Sequence, residues 1–83
     1  MNLYALPRGS LHEKRLELLI KLTKMRSAAL KKALHLYFVN GYTSELAAGL
    51  VDLDKSTVKK AIARIGAVHE IVERIKEFDT YGR

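Results

Sequence analysis

The segment SELAAGLVDLDKSTVKKAIARI, residues 44–65, contains two short stretches with the apolar spacing of helices, one on either side of a turn. Ala48 is the small residue that two closely crossing helices need, and Val58 is a β-branched residue that can anchor the second helix on the first. Asp52 stands at the turn, where glycine is more usual, and aspartate is among the few residues that reach the left-handed backbone region at modest cost. The segment therefore predicts a helix-turn-helix.

The second helix of this motif is expected to expose a basic surface with several hydroxyl groups. Exposed cations, hydroxyls and free amides near a helix N-terminus are the groups that contact phosphates and base edges in DNA-reading proteins, so we expect double-stranded DNA as the partner. The candidate DNA-binding residues are Lys55, Ser56, Thr57, Lys59, Lys60 and Arg64. A solvated helix face also carries lysines, however, and Ser56 can equally serve as a helix cap. The residues expected on the buried side are Val58, Ala61, Ile62 and Ile65.

Residues 1–41 predict an arm followed by two helices. Residues 1–9 are expected to form an extended arm, and the N-terminal helices fall within residues 10–41. The first helix is expected from Leu11 to about Lys24.

Capping residues mark the ends of these helices. Ser10 and Glu13 have the spacing of a capping box, and Ser27 is a candidate N-cap for the second helix. Asn40-Gly41 is expected to end the second helix, because both residues accept the left-handed conformation found at helix C-termini. One long rod without a break near residue 26 is the alternative. Thr43 or Ser44 is the expected cap of the helix that follows.

An apolar stripe over residues 67–78 predicts a C-terminal helix. Gly66 either ends the preceding helix or lies within it. The stripe can complete the core or form a homo-oligomer interface, which suits a short chain. Its members are Val68, Ile71, Val72, Ile75 and Phe78. The whole pattern predicts a single all-α domain over residues 1–83, a small bundle of four to five helices containing a helix-turn-helix.

The composition favours a polyanionic partner and a cytoplasmic location. The 83 residues carry a net charge of +6, with the excess in the first half and around Lys59 and Lys60. Cysteine is absent, so disulfides and thiolate metal sites are excluded. No apolar run is long enough to span a bilayer, and the start of the chain does not have the pattern of a signal peptide.

The stretches ALHLYFVNGYTSELA, residues 33–47, and KSTVKKAIARIGAV, residues 55–68, resemble the PapB-type regulators of adhesin (fimbrial) operons. In that family a helix ending in an aliphatic–Gly–Gly-type turn leads into the helix-turn-helix, and a further apolar helix follows. Here VNGYT, residues 39–43, and RIGAV, residues 64–68, occupy those places. The resemblance implies a bacterial transcription regulator, nucleoid-associated, that oligomerises along A·T-rich DNA and favours the minor groove.

Alternatives to this interpretation remain at several levels. The exposed lysine face taken alone suggests the major groove, in conflict with the family resemblance. YFVNG, residues 37–41, followed by such a helix pair is also similar to the promoter-reading region of sigma factors. A different class of function is a helical protein–protein adaptor that grips its partner through residues 16–22 or 68–78.

Catalysis and metal binding are not expected from the sequence. His12, His35 and His69 are far apart, and none has another histidine at the i+4 spacing of a helical metal site. No glycine-rich phosphate loop or nucleophile–base set is present, so we expect no enzyme, no cofactor and no small-molecule substrate. Tyr37, Phe38 and Phe78 lie at core spacing rather than as base-stacking platforms.

Overall fold

The computed structural model describes the backbone of residues 6–81 and the side chains of residues 6–79. Over this range it is all-α, with no strand, as the sequence predicts. Its four helices are α1 (Glu13–Thr23), α2 (Ala28–Phe38), α3 (Ser44–Leu50) and α4 (Lys55–Tyr81). Most of the predicted arm, residues 1–5, lies outside the described residues.

The start of α1 differs from the expected capping box. The helix begins after His12, whose Nδ1 accepts from the Lys14 amide at 3.1 Å. Ser10 instead donates its hydroxyl to the Pro7 carbonyl at 2.5 Å, so the predicted Ser10–Glu13 box is wrong. The cause is tertiary: the Gly9 and Leu11 amides donate to the carbonyls of Tyr37 and Phe38, at 2.9 and 3.0 Å, and hold this stretch against the end of α2.

A sharp turn separates α1 from α2, which excludes the single rod. Lys24 has a φ of 58° and ends α1, with its amide donating to the Lys21 carbonyl. Ser27 then caps α2 by accepting from the Leu30 amide at 3.2 Å, as predicted.

The chain leaves α2 through a second left-handed turn. The helix ends at Phe38, and Gly41 has a φ of 84°. The Tyr42 amide donates to the Leu36 carbonyl at 2.9 Å, which folds the connection back on α2. Gly9 approaches this turn so closely that a Cβ added to it would lie 3.2 Å from the Gly41 Cα.

The segment from α3 to α4 follows the predicted pattern. Thr43 caps α3 by accepting from the Leu46 amide at 3.2 Å, and Asp52 adopts the expected left-handed conformation with a φ of 57°. The Leu53 amide donates to the Ala48 carbonyl at 3.0 Å, which closes the turn. Helix α4 begins at Lys55 and runs for 27 residues without ending at residue 66, so residues 67–78 are its second half.

The core has a large-residue part and a small-residue part. Leu16, Leu34, Phe38 and Ile65 are fully buried where α1, α2 and α4 meet. The small-residue part lets α2, α3 and α4 cross closely, and its buried members are Ala33, Ala47, Ala48 and Val58.

A cluster of three polar side chains, Arg15, His69 and Glu73, joins α1 to the second half of α4. Arg15 donates to Glu73 Oε1 at 2.5 Å, and its guanidinium lies 3.3 Å from the Nδ1 of buried His69. Burial, and then the positive charge of Arg15, lower the pKa of His69.

Part of the predicted apolar stripe does not enter the core. Val68 and Val72 pack against the core, whereas Ile71, Ile75 and Phe78 are exposed. Phe78 is 77% exposed, so its assignment to core spacing is wrong. This part of α4 extends beyond α2 and α3 in the chain's elongated shape, which measures 47 × 27 × 20 Å.

Candidate nucleic-acid interface

The packing of α4 determines which of its side chains reach the solvent. Val58, Ala61 and Ile65 are buried against the other helices, with Ile62 half-buried beside them. The opposite face is therefore exposed over the first turns of α4. It carries all six candidate residues, each of them exposed: Lys55, Ser56, Thr57, Lys59, Lys60 and Arg64.

Glu45 partly neutralises this face. Its Oε1 lies 3.4 Å from Lys55 Nζ and 3.7 Å from Lys59 Nζ, and all three side chains are exposed. A hydrogen bond from its own backbone amide, followed by one from the Lys55 side chain, lowers the pKa of Glu45, so this carboxylate stays charged. The sequence pattern did not single out Glu45, because the turn around Asp52 brings it to these lysines from a different helix.

Two candidate residues already have hydrogen-bond partners within the protein. Ser56 lies in the first turn of α4 and its hydroxyl donates to Asp54 Oδ2 at 3.2 Å, so Ser56 is not the residue that precedes the helix. Arg64 donates to the Thr23 carbonyl at 2.9 Å, at the last residue of α1. Arg64 therefore helps to hold α1 against α4 while remaining exposed.

A recess of about 260 Å³ borders the face on the side of the α1–α2 turn. Thr57, Lys60 and Arg64 line it from α4, and Met25 and Leu30 line it from the turn and α2. Among the described residues, the side chain of Lys60 takes part in no hydrogen bond or ion pair, which distinguishes it from Lys55 and Lys59. The interface thus combines a free cation, two cations shared with one carboxylate, and an apolar edge.

The donors on this face suit an anionic surface. Ammonium, guanidinium and hydroxyl groups all donate hydrogen bonds, and they are exposed at the N-terminal end of a long helix, where the backbone amides add positive potential. A surface of this kind can bind several phosphates at once. Among residues 6–81, no helix combines the length and the apolar content needed to cross a membrane.

Comparison with known proteins gives a family match and a structural match. The family model described as "PapB: Adhesin biosynthesis transcription regulatory protein" matches residues 1–79, and that description is regulatory rather than enzymatic. A crystal structure of FocB from E. coli superposes on this chain with a TM-score of 0.83, and the two sequences are 21% identical. The match covers 90% of this chain and 85% of the FocB chain. This likeness concerns the fold. No curated protein sequence matches the chain.

Proposed function

The chain belongs to the PapB family of adhesin biosynthesis transcription regulatory proteins, and on that premise we propose that it binds double-stranded DNA sequence-selectively to regulate a bacterial fimbrial or adhesin operon. In this role it acts as a nucleoid-associated protein of the cytoplasm. One structural observation carries the DNA-binding part of the proposal, namely the exposed basic face on the first turns of α4.

We propose that α3 and α4 act as a helix-turn-helix, with the N-terminal half of α4 as the recognition helix. The supporting features are the left-handed Asp52 turn, the small residues Ala47 and Ala48 at the crossing, and the buried Val58 that fixes α4 on α3. In such motifs the N-terminal residues of the second helix contact the DNA. Lys59 and Lys60 are then the principal phosphate contacts, and Lys55, Ser56, Thr57 and Arg64 surround them.

The preference for A·T-rich DNA is the part of the proposal that comes from the family resemblance. A narrow A·T-rich minor groove has an enhanced negative potential that attracts lysine and arginine side chains. The exposed helix face alone favours the major groove, which is wide enough to admit an α-helix. Methylation that blocks one groove at a time decides between the two modes.

We propose that the protein binds DNA as a homo-oligomer that associates through the second half of α4. Ile71, Ile75 and Phe78 are spaced at i, i+4 and i+7, which places them on one side of the helix, and all three are exposed. A second copy is the occupant that we propose for this side, because its edge carries both signs of charge, Glu70 and Arg74, which pair within the helix at 3.0 Å, and Glu77, and an antiparallel copy can exchange these partners. Two copies also present two recognition helices to adjacent half-sites.

The exposed apolar side of α4 also supports the second candidate function, a helical protein–protein adaptor. In that case a different protein covers Ile71, Ile75 and Phe78, and the lysines serve solubility. The two functions differ in their dependence on DNA sequence and on salt.

The deciding experiment is a fluorescence-anisotropy titration of a labelled A·T-rich duplex at several salt concentrations. For a regulator we expect cooperative binding that exceeds binding to a G·C-rich duplex. Lys59→Ala/Lys60→Ala should weaken it at least tenfold and reduce the salt slope by about two, because each lysine contacts one phosphate.

Lys14→Ala/Lys21→Ala is the matched control, because it removes the same charge from two exposed positions on α1 rather than from α4. It should leave most of the affinity. Equal and weak binding of every variant to both duplexes would instead support the adaptor.

A further inference from the structure

We propose that Glu13, Glu17 and His35 form a binding site for a divalent transition-metal ion, best matched by zinc, between α1 and α2. One oxygen from each carboxylate and one ring nitrogen of the histidine lie within 4.8 Å of one another. The site is separate from the α4 face and does not depend on the DNA-binding proposal.

The fold assembles this set from two helices. Glu13 and Glu17 lie one turn apart on α1 and so share a side of that helix, while His35 lies in the last turn of α2. The spacing of ligands within single helices gave no metal site, because His35 has no partner of its own on α2. Both glutamates are exposed, so their side chains can rotate towards a metal ion. His35 is half-buried, so its ring has less freedom to move.

The charges around the site leave room for a cation. Among the described residues, neither carboxylate forms an ion pair within 4 Å, although Lys21 lies at i+4 from Glu17 and could have bound it. Lys21 and Lys31 line a neighbouring recess of about 270 Å³ together with Glu17 and His35. The carboxylates of Glu13 and Glu17 repel each other, and a divalent ion would compensate both charges at once, against the weaker opposing charge of the two exposed-to-half-buried lysines.

The donor types select the class of metal. Two carboxylate oxygens and one imidazole nitrogen are common zinc ligands, and three protein ligands leave a fourth position for water. Bond lengths of about 2.0 to 2.2 Å place tetrahedral ligands roughly 3.3 Å apart, so the glutamates must close part of the observed gap. Rotation of exposed side chains suffices for that movement.

Binding at this position joins α1 to α2 and stabilises the folded chain. A metal that binds the folded state alone raises its stability with concentration, and a domain of this size gains several degrees in Tm for each factor of ten in metal concentration above Kd.

The test uses untagged, metal-free full-length protein, with zinc chloride in calorimetry and thermal unfolding and cobalt(II) in absorption spectroscopy. We expect one ion per chain, a Kd in the micromolar range, a Tm rise that EDTA reverses, and visible cobalt absorption bands with the intensity typical of four or five ligands. Glu17→Gln should weaken binding at least tenfold. Because Glu17 is exposed, this variant keeps the fold, which far-UV circular dichroism verifies.

His12→Asn is the matched control. It removes an exposed histidine next to Glu13 and keeps a side-chain acceptor at the start of α1, so affinity should not change. His35→Ala should lose binding, as Glu17→Gln does. Millimolar affinity in the unchanged protein, or full affinity in Glu17→Gln, overturns the site.

Discussion

Glu45 sets the charge balance of the α4 face at the scale of single residues. Its carboxylate lies within 3.7 Å of two of the proposed phosphate-binding lysines, Lys55 and Lys59. A DNA phosphate that approaches these lysines therefore competes with a negative charge already present. Exposed pairs of this kind contribute little to stability, so their main effect is on anion binding.

Glu45→Gln should raise the affinity for DNA about two- to fivefold at low salt, the range that corresponds to the loss of one exposed ion pair. The glutamine keeps a side-chain acceptor for the backbone amide while removing the competing charge. Anisotropy titration at low and high salt measures the change. Asp79→Asn is the control, because it removes a negative charge from the far end of α4, and it should raise the affinity for DNA much less. Equal increases in affinity for the two variants would mean that the net charge alone is responsible.

His69 makes stability depend on pH. Its pKa is lowered by burial and by Arg15, with Lys76 acting in the same direction and Glu73 opposing. In the unfolded chain this histidine takes up a proton near pH 6.5, the ordinary pKa of its side chain, whereas folded His69 resists protonation. The stability that neutral His69 contributes is therefore fully present above pH 6.5. It is lost as the pH falls from 6.5 towards the lower pKa that His69 has in the folded protein.

The unfolding temperature should accordingly be lower at pH 5.5 than at pH 7.5, as thermal unfolding followed by circular dichroism will show. His69→Gln removes the titrating group and should reduce this difference, whatever it does to stability itself. If the unfolding temperatures of the two proteins changed with pH in the same way, His69 would be excluded as the origin of the pH dependence.

The helix ends show which elements the sequence could predict. Ser27, Thr43 and Asp52 act through neighbours in the chain, and their roles were predicted correctly. The capping role predicted for Ser10 was wrong, because backbone hydrogen bonds from Gly9 and Leu11 to α2 fix the conformation around it. The core position predicted for Phe78 was wrong, because its part of α4 does not pack against the other helices. The contacts of Glu45 and Arg64 with other helices, and the position of His35 near Glu13 and Glu17, likewise required the tertiary structure.

The glycines of the helices and turns give a prediction at the scale of elements. Gly66→Ala should stabilise the protein by about 0.5 to 1 kcal/mol, because α4 is continuous there and an added Cβ meets nothing within 4 Å. Gly41→Ala should instead destabilise it by about 1 to 2 kcal/mol, because φ is 84° at that position. Urea unfolding measures both, and a stabilising effect at residue 41 would contradict the turn.

The elongated shape of the whole molecule comes from α4. Its 27 residues span about 40 Å at 1.5 Å per residue, against roughly 17 Å for the 11-residue helices α1 and α2. The two ends of α4 therefore differ in their surroundings: the first half carries the basic face, and the second half exposes Ile71, Ile75 and Phe78. One rigid helix thus connects the proposed DNA contact to the proposed contact between copies.

Ile71→Glu/Ile75→Glu should convert the proposed oligomer to a monomer in sedimentation equilibrium and remove the cooperativity of DNA binding. The fold should persist, because both side chains are already more than half exposed. Leu18→Glu/Leu22→Glu makes the same change at two equally exposed positions on α1 and should leave assembly intact. Loss of assembly only in the α1 variant would place the interface there instead.

The contact between Gly9 and Gly41 has a consequence for the evolution of the chain. Their backbones touch where the N-terminal segment crosses the turn that leads into α3, and both residues have positive φ values. A side chain at position 9 would press against the backbone of residue 41, and a side chain at either position would be strained by the positive φ. Substitution of either glycine should therefore destabilise this contact. We expect homologous sequences to retain glycine at both positions together, as a jointly inherited pair, even where the surface residues of α4 have diverged.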